Sequence, residues 1–436
     1  MLNILAASAL AAGLLALPAA SGSPALAPLN GIYPDLEALY VDLHQTPELS
    51  LHEEKTSAKL AARLKALGYD VTEKVGGWGV VAVMKNGKGP TVLVRADMDA
   101  LPVEERTGLP YASKVRVKND AGVEVPVMHA CGHDVHMTSL IGAATLLAKA
   151  KSRWRGTLVL IAQPAEEGGK GAQSMLKDGL LTRFPKPDVA LALHDFPFLP
   201  AGKVGVTSGF ALANVDSVDI TIFGRGGHGS APQNTVDPIV IAARTVLALQ
   251  TIVARENDPR DPVVVTVGSI HGGTKHNIIP DEVRLQLTVR TYKEEVRTRV
   301  LASIARIAKA EAAAAGAPRA PIVVVDEDRG HATYNDPALA RRLSGAFSAA
   351  FGKANVVETQ PVMGGEDFGE IGAAAKVPSV LFWVGGTEPK TFEAAGGDMT
   401  RLPYIHSSEW APDREPTLKT GAAALTVAAL ELLGKP

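Results

Sequence analysis

The sequence predicts an α/β protein with two parts: a main domain, whose mainly parallel, twisted sheet is flanked by helices, and an inserted ferredoxin-like domain. The chain has 436 residues, which is beyond the size at which one hydrophobic core keeps growing. Helical and strand patterns alternate from Pro34 to about residue 209 and again after residue 328, as is typical of a parallel sheet. Between these regions the order changes to β-α-β-β-α-β, which predicts a second, inserted domain.

The elements of the main domain follow from periodicity and β-branched runs. Segments with a helical period are predicted as helices, and short apolar runs bounded by turn residues are predicted as strands. In chain order these are a largely helical region over 35–68, strands over 80–85 and 91–97, a helix over 137–151, strands over 157–164 and 377–386, and a closing Ala-rich helix over 418–433.

The inserted domain is predicted from four β-rich segments and two helical ones. In chain order they are strand 215–224, helix 237–256, strands 262–270 and 282–292, helix 294–316 and strand 320–328. The predicted boundaries are a signal peptide over 1–27, the main domain over 28–209 and 329–436, and the inserted domain over 210–328.

Composition excludes some classes of function and indicates export. Apolar residues make up 46%, charged residues 21% and the formal net charge is -2, so no basic field indicates nucleic acid or an anionic membrane as a partner. The first 27 residues are apolar and rich in Ala and Leu, which predicts a cleaved signal peptide, although no Lys or Arg precedes Lys55. We therefore expect a periplasmic or secreted protein without membrane contact after cleavage. The alternative is a cytosolic protein that keeps this segment.

The only cysteine of the chain, Cys131, lies in the stretch HACGHD beside several histidines. A single cysteine cannot form an internal disulfide, which leaves an inert buried thiol, a nucleophile or a metal ligand. If residues 129–133 are extended, His129, Cys131 and His133 share one face. Thiolate and imidazole suit zinc and neighbouring transition metals, so the pattern indicates a metal site.

Further polar groups follow predicted strands. Asp97 and Asp99 end one strand, and Glu166 and Glu167 follow another, where an extended backbone would aim the two carboxylates differently. Two histidines complete the set, His194 at the end of a strand and His406 before the last helix. Because the carboxyl ends of strands in an open α/β sheet converge on one crevice, we expect these groups to meet there.

Six stretches give the sequence a family resemblance. In chain order they are ADMDALP, HACGHD, PAEEGG, GRGGHGSAP, GGTKHNIIPDEV and MGGEDF. Together they resemble the di-metal aminoacylase and carboxypeptidase family of metallopeptidases. Within it, they are most similar to the amidohydrolase branch of hippurate hydrolases, indole-acetyl-amino acid hydrolases and N-acetyl-diaminopimelate deacetylases. The resemblance covers roughly residues 34–430 and implies that the main domain is catalytic, that the inserted domain is a lid and dimerisation domain, and that the protein is a homodimer or another homo-oligomer.

The resemblance also implies a set of site residues. Two divalent ions per subunit would be held by Cys131, His133, Glu167, His194 and His406, with Asp97 and Asp99 in support. In the peptidase members of the family, the first ligands come from a His-x-Asp motif. This chain has Asp97-Met98-Asp99 at that place and so lacks one imidazole, which in this branch the cysteine and histidine of HACGH would replace. Zinc and manganese are the expected metals, with cobalt and nickel as alternatives.

The implied reaction is hydrolysis of the amide bond of an N-acyl amino acid or a small dipeptide-like substrate by a metal-activated water. Glu166 would act as general base and pass the proton to the leaving amine. His228 is a candidate oxyanion donor, assisted by Asn277, and in this family such groups can come from the partner subunit. The candidate groups for gripping the substrate carboxylate are Arg290, Gly365 and Glu366, although a structural ion pair is an equally good interpretation of Arg290.

Two other functions are consistent with parts of the sequence. One is a cysteine hydrolase with Cys131 as nucleophile, and the other is a non-catalytic exported binding protein. A binding protein has no need of a free Glu166 beside a ligand Glu167. A dinucleotide site is excluded, because GRGGHG matches G-x-G-x-x-G but is followed by residues 230–232, SAP, instead of a helix.

Overall fold

The computed structural model describes residues 23–326 and 330–435. The predicted signal peptide, apart from residues 23–27, lies outside this range. The helices are α1 (Leu29–Gln45), α2 (Glu54–Ala66), α3 (His133–Lys149), α4 (Gly171–Lys177), α5 (Pro238–Thr251), α6 (Glu294–Ala314), α7 (Pro337–Phe351), α8 (Phe368–Ala375), α9 (Pro389–Ala395) and α10 (Arg414–Leu432).

The strands are β1 (Asp70–Val75), β2 (Gly79–Asn86), β3 (Thr91–Asp97), β4 (Arg116–Lys118), β5 (Glu124–Pro126), β6 (Gly156–Gln163), β7 (Val189–Pro200), β8 (Val204–Val206), β9 (Gly209–Leu212), β10 (Asn214–Phe223), β11 (Gly227–His228), β12 (Val263–His271), β13 (Ile278–Ile279), β14 (Glu282–Thr291), β15 (Ile322–Val325), β16 (Thr333–Asn335), β17 (Val356–Glu358) and β18 (Ser379–Thr387).

The main domain contains an eight-stranded sheet in the order β1-β2-β6-β3-β7-β18-β8-β17. Its central strands β6, β3, β7 and β18 run parallel, whereas β1, β2 and β6 pair antiparallel at one end. Helices α1, α2, α3, α7 and α10 pack on one face, and α4 and α8 on the other. Because both faces are covered, the central strands are almost entirely buried. The predicted α/β class is confirmed.

The inserted domain contains a four-stranded antiparallel sheet in the order β12-β14-β10-β15. With α5 after β10 and α6 after β14, the chain order is β-α-β-β-α-β, the predicted ferredoxin-like arrangement. Both helices cover the same face of this sheet. The chain enters and leaves the domain at one point, where the backbones of Val215 and Gly330 exchange hydrogen bonds of 3.0 and 3.2 Å. The predicted boundaries at 210 and 328 stay a prediction.

Two local predictions are wrong. Residues 129–133 are not extended, because Cys131 lies in a turn and α3 begins at His133. Gly132 has a φ of 77°, and a Cβ there would lie 2.4 Å from the carboxylate of Asp195. The turn therefore needs glycine both for its left-handed backbone and for this close approach. In addition, β7 does not end at His194 but continues to Pro200 and stays paired with β18.

Candidate active site

The five predicted metal ligands converge at the carboxyl end of the main sheet. The Sγ atom of Cys131 lies 3.5 Å from Nε2 of His194 and 3.3 Å from Nε2 of His406. The Oε1 atom of Glu167 lies 3.3 Å from Nε2 of His406 and 3.9 Å from Nε2 of His133. Residues separated by as many as 275 positions therefore share one centre.

The imidazoles of this centre are oriented by hydrogen bonds to backbone carbonyls. The Nδ1–H group of His133 donates to the carbonyl oxygen of Asp99 at 2.7 Å, and that of His194 donates to the carbonyl oxygen of Asp195 at 2.7 Å. These bonds leave the Nε2 lone pairs facing the centre, the arrangement that metal-binding histidines use.

An unsatisfied pair of buried atoms tests whether the donor set fits a cation. Nε2 of His133 and Oε1 of Glu167 have no hydrogen-bond partner among the described residues, although both atoms are buried. Orphaned buried polar atoms are rare, because each costs about 1–3 kcal/mol. Both residues belong to clusters that also contain the Cys131 thiol, and Glu167 shares its cluster with His406. Thiolate, imidazole and carboxylate groups are ligands of divalent metal ions, so this donor set fits such ions.

His406 reaches the centre from the far end of the chain through a strained backbone. Its φ is 68°, and its N–H group donates to the carbonyl oxygen of Ala130 at 2.7 Å. A residue other than glycine keeps this conformation only where its surroundings fix it, and such strain is concentrated at functional sites. This hydrogen bond fixes the last of the predicted ligands directly beside the turn that carries Cys131.

Glu166 and Glu167 do not diverge as the extended interpretation predicted. Oε2 of Glu166 and Oε1 of Glu167 both lie 3.9 Å from Nε2 of His133. They follow β6 in a turn that begins at Ala165, which has a φ of 50°. The carboxylate of Asp99 accepts the N–H groups of Glu166 and Glu167 at 3.1 and 3.0 Å, and its predicted supporting role stays a prediction. Glu167 alone also approaches His406.

Burial disfavours charge on the acidic groups of the centre when no cation is bound. Burial raises the pKa of the Glu166 carboxyl well above its usual range, and the neighbouring Glu366 and Glu167 raise this pKa further. Burial also raises the pKa of the Cys131 thiol, and Glu167 adds to the effect. A bound divalent cation inverts this preference and deprotonates a coordinating thiol. The thiol therefore suits a ligand better than an independent nucleophile.

Asp97 is supported by a fully buried arginine that sequence reasoning missed. The Arg95 guanidinium donates to Asp97 at 2.5 Å, to Glu366 at 2.7 Å, to Asp367 at 2.9 Å and to Gln163 at 3.0 Å. An arginine inside the apolar run TVLVRAD was the available signal, because a buried charge requires partners. The carboxylate of Glu366 is paired in this network, and its predicted contact with a substrate stays a prediction.

A second missed group is His136, which lies next to the predicted ligands His133 and His194. Its Nδ1 is 2.6 Å from Asp97 and its Nε2 is 3.1 Å from Asp195, whose other oxygen accepts the indole N–H of Trp410 at 3.2 Å. Although burial lowers the pKa of His136, the two carboxylates raise it to about 9. The position of His136 one helical turn after His133 was the sequence signal.

His129 takes no part in this centre. Both of its ring nitrogens are buried without a hydrogen-bond partner among the described residues, and burial lowers its pKa to about 4.

His44 lies in a separate buried cluster, in which its Nδ1 is 2.6 Å from Asp134 and its Nε2 is 3.1 Å from Glu105. This cluster ties α1 to the first turn of α3.

A cavity of about 770 Å³ lies between the two domains and opens onto the centre. The main domain lines the cavity with four of the five predicted ligands, all except His133, and with Glu166, Phe196 and Tyr404. The inserted domain lines it with Val215, Val264 and Arg290. Arg290 donates to Thr288 Oγ1 at 3.0 Å and forms no salt bridge with the described residues, since the nearby Asp216 is paired with Arg297. A Cβ at Gly365 would collide with Val215 at 2.2 Å and lie 3.1 Å from the Arg290 guanidinium. The predicted residues Arg290 and Gly365 are therefore neighbours in the cavity wall.

The predicted oxyanion donors lie elsewhere on the inserted domain. His228 is in β11 and Asn277 lies beside β13, and the two strands pair with each other. Neither residue lines the cavity. The backbone N–H of Ser230 donates to Nδ1 of the exposed His228 at 3.1 Å, which in the neutral imidazole leaves the proton on Nε2, facing away from this bond.

Comparisons with known proteins agree with this architecture. Residues 93–397 match the model of peptidase family M20/M25/M40. Thermostable carboxypeptidase 1 of Saccharolobus solfataricus is 38% identical over 90% of this chain and 94% of its own length. The hippurate hydrolase of Campylobacter jejuni is 39% identical over 77% of this chain and 84% of its own length. The crystal structure of a dinuclear metal-binding peptidase of the M20 family from Bacillus subtilis superposes with a TM-score of 0.74 at 31% identity, covering 93% of this chain and 100% of that one.

Proposed function

This chain belongs to peptidase family M20/M25/M40, and on that premise we propose that it hydrolyses the amide bond of N-acyl amino acids. It is a hydrolase of carbon–nitrogen amide bonds from a family with dinuclear metal sites. The observation that carries the proposal is the convergence of five metal donors on one centre with Glu166 beside them. Neither a cysteine hydrolase nor a binding protein accounts for the orphaned ligand atoms and the adjacent carboxylate.

The donor set would hold two divalent cations, which when bound supply Lewis acidity toward the substrate carbonyl and lower the pKa of water. Glu166 would accept the proton of the attacking water and deliver it to the departing amide nitrogen. Its Oε2 lies 3.9 Å from Nε2 of His133, so it is close enough to the centre for both steps. The Nε2–H of His228 would donate to the carbonyl oxygen as that oxygen gains charge.

The cavity supports a substrate with a free carboxylate and an apolar acyl group. Arg290 is partly buried and forms no salt bridge with the described residues; burial lowers its pKa, and the carboxylate that opposes this effect, Asp216, is already paired with Arg297. An anionic substrate group in the cavity would therefore stabilise the guanidinium. Phe196, Leu212 and Val362 line the same cavity and would contact an apolar acyl group. Hydrolysis of a panel of N-acetyl, N-benzoyl and indole-acetyl amino acids tests this, and no release of amino acid from any of them would contradict the proposal.

We propose zinc or manganese as the metal, with cobalt and nickel as alternatives. The thiolate of Cys131 favours zinc, whereas the carboxylate of Glu167 also suits manganese. Elemental analysis should give about two ions per subunit, and chelation followed by metal addition should abolish and restore activity. Cys131→Ser should lower metal content and rate together. A variant that keeps both would show that the thiol is no ligand.

We propose a homodimer formed through the inserted domain. Helix α5 exposes Ile239, Val240 and Leu247, and Leu247 is 73% exposed. On the same domain, β12 lies at the edge of the four-stranded sheet, so its outer backbone groups have no strand partner among the described residues, and Ile270 is exposed. Light scattering should give twice the subunit mass, and Leu247→Asp should shift it toward the monomer. If His228 serves the partner subunit, mixing Glu166→Ala with His228→Ala protein should restore activity that neither has alone.

We propose export to the periplasm or medium after cleavage of the N-terminal signal peptide. The predicted end of this peptide is residue 27, and the burial of residues just before that position favours an earlier cleavage site. Ala25 and Leu26 are both 3% exposed, and Leu26 belongs to the main hydrophobic cluster, so a mature chain that keeps them is favoured. Fractionation and N-terminal sequencing of the exported protein test this. A full-length chain recovered from the cytosol would contradict it.

A further inference from the structure

The loop between α1 and α2 packs against the chain segments next to Glu166. Leu49 pairs with Ala100, and the hydroxyl of Ser50 donates to the carboxylate of Asp99 at 2.5 Å. Glu53, which precedes α2, is fully buried at 0% exposure. This loop was predicted only as part of a helical region, and no metal ligand lies in it.

The carboxyl of Glu53 binds backbone groups on both sides of this contact. Its Oε1 accepts the N–H of Leu51 at 3.0 Å and the N–H of Ala165 at 2.8 Å. The carbonyl oxygen of Ala165 accepts the N–H groups of Lys170 and Gly171 at 3.2 and 3.0 Å. Ala165 is therefore fixed through both of its peptide groups.

Ala165 needs this restraint because its backbone is left-handed, with a φ of 50°. Such a conformation costs about 1–3 kcal/mol for a residue other than glycine and persists only where the surroundings determine it. The reversal at Ala165 turns the chain after β6 so that Glu166 and Glu167 both face His133. Relaxation of Ala165 to an extended conformation would rotate both carboxylates away from this position.

We propose that Glu53 is a positioning residue for the general base: by accepting the Ala165 N–H, it holds the left-handed residue that aims Glu166 at the centre. The inference rests on the proposed function of Glu166. Glu53 touches neither the substrate nor a metal ligand, and its effect is transmitted through the backbone of one residue. Oε1 of the buried Glu53 carboxyl accepts two backbone N–H groups, one of them in the turn that carries Glu166, whereas Oε2 has no hydrogen-bond partner among the described residues. Because burying a carboxyl is costly, the two bonds to Oε1 are its compensating contacts.

Three variants separate positioning from a merely structural role. Glu53→Ala removes the acceptor, whereas Glu53→Gln keeps a carbonyl oxygen at the same reach. Ala165→Gly removes the conformational strain, because glycine takes positive φ without cost. We expect Glu53→Ala to lower kcat by about 10- to 100-fold at unchanged KM and metal content, since small misplacements of a catalytic group have effects of this size. Glu53→Gln should stay within about threefold of the wild type, and adding Ala165→Gly to Glu53→Ala should recover at least about threefold in kcat, as expected if strain at Ala165 causes the loss.

Hydrogen exchange at the Ala165 amide gives a readout independent of turnover. Exchange should be faster in metal-loaded Glu53→Ala than in Glu53→Gln or the wild type, because the amide loses its acceptor. If the wild type hydrolyses no N-acyl amino acid, the proposed function fails, and exchange still decides whether Glu53 holds the turn. Should Glu53→Ala not fold, Glu53→Asp, which is one methylene shorter, replaces it in both measurements.

Three results would overturn the inference. One is a wild-type kcat in Glu53→Ala, and another is a loss of kcat that follows a loss of bound metal. The third is an Ala165 amide that exchanges equally slowly in Glu53→Ala and the wild type.

Discussion

The polar groups at the carboxyl end of the main sheet are buried and paired, whereas those on the small β11–β13 sheet of the inserted domain are exposed. At the sheet edge, Arg95 is fully buried among three carboxylates and His136 lies between two. On the β11–β13 sheet, His228 is exposed and its ring contacts only Ser230 among the hydrogen bonds that the structure describes. The groups of the first region are fixed before any ligand arrives, whereas those of the second are presented on a surface.

This difference predicts how substitutions divide between stability and rate. Removing a partner from a buried network leaves charges unsatisfied and should destabilise the fold. Removing an exposed group should leave the fold intact and change only what that group does to the substrate. Each substitution below therefore tests one side of the comparison.

Glu166→Ala should have the largest effect on turnover. Loss of a positioned general base lowers the rate by about 10²- to 10⁴-fold. Glu166 is only partly buried, with 11% of its side chain exposed, so the fold and the metal content should persist. Steady-state kinetics with elemental analysis measure both, and full turnover by this variant would remove Glu166 from the mechanism.

His44→Ala should mainly affect stability, because it leaves Asp134 and Glu105 buried without their shared partner. We expect a loss of about 3–5 kcal/mol in the free energy of unfolding near neutral pH. His52→Ala is the matched control, because His52 pairs with Asp120 at the surface, where ion pairs contribute at most about 1 kcal/mol. Denaturant unfolding compares the two, and equal small losses would show that the buried cluster contributes nothing.

The same variant carries a pH signature. Burial lowers the pKa of His44, but the hydrogen bonds to Asp134 and Glu105 outweigh it and raise the pKa to about 10. Protonation therefore favours the folded chain: the stabilisation is complete below the ordinary pKa of about 6.5 and is lost as pH rises through about 10. The difference in unfolding free energy between wild type and His44→Ala should shrink from pH 6.5 to pH 10, and a widening difference would contradict the assignment.

His228→Ala should lower kcat by about 10²- to 10³-fold, as expected for loss of an oxyanion donor. Because His228 is exposed, the melting temperature should stay within about 1 °C of the wild type. His271→Ala, at an exposed histidine at the end of β12, is the control for nonspecific effects on the inserted domain. A stability loss that accompanies the rate loss would break the comparison.

Arg290→Met should have the smallest effect of the series and should act on binding. Loss of a charge-assisted hydrogen bond to a substrate carboxylate costs about 1.5–3 kcal/mol, which corresponds to a rise in KM of roughly 10- to 150-fold. Substrates whose carboxylate is amidated should bind the wild type and the variant equally. If KM for the free acid is unchanged, Arg290 does not grip the carboxylate.

The sequence predicted the parts of the structure that depend on periodicity and strand ends. The β-α-β-β-α-β order of the inserted domain follows from alternating strands and two long helices, and the structure has that order. Cys131, His133 and His194 were predicted to converge, and they do. These features depend on which residues face the sheet and which residues follow a strand. Both can be read from the pattern of apolar and polar residues in a single sequence.

The turns and the buried partners could not be predicted in the same way. The extended interpretation of residues 129–133 failed because one left-handed glycine, Gly132, redirects the chain into α3. The expected divergence of Glu166 and Glu167 failed for the same kind of reason, at Ala165, which looks like any alanine in the sequence. The partners of Arg95 lie as many as 272 positions away, and only the fold brings them together.

The bridge between Val215 and Gly330 brings the two ends of the inserted domain together, which makes this domain removable. Because the chain departs and returns at one ladder position, excising the intervening segment and joining the two ends needs little new backbone. Such a truncated enzyme should retain the cation-binding cluster while lacking His228 and Arg290. We therefore expect that exchanging the inserted segment between relatives changes substrate preference while the predicted cation site is kept.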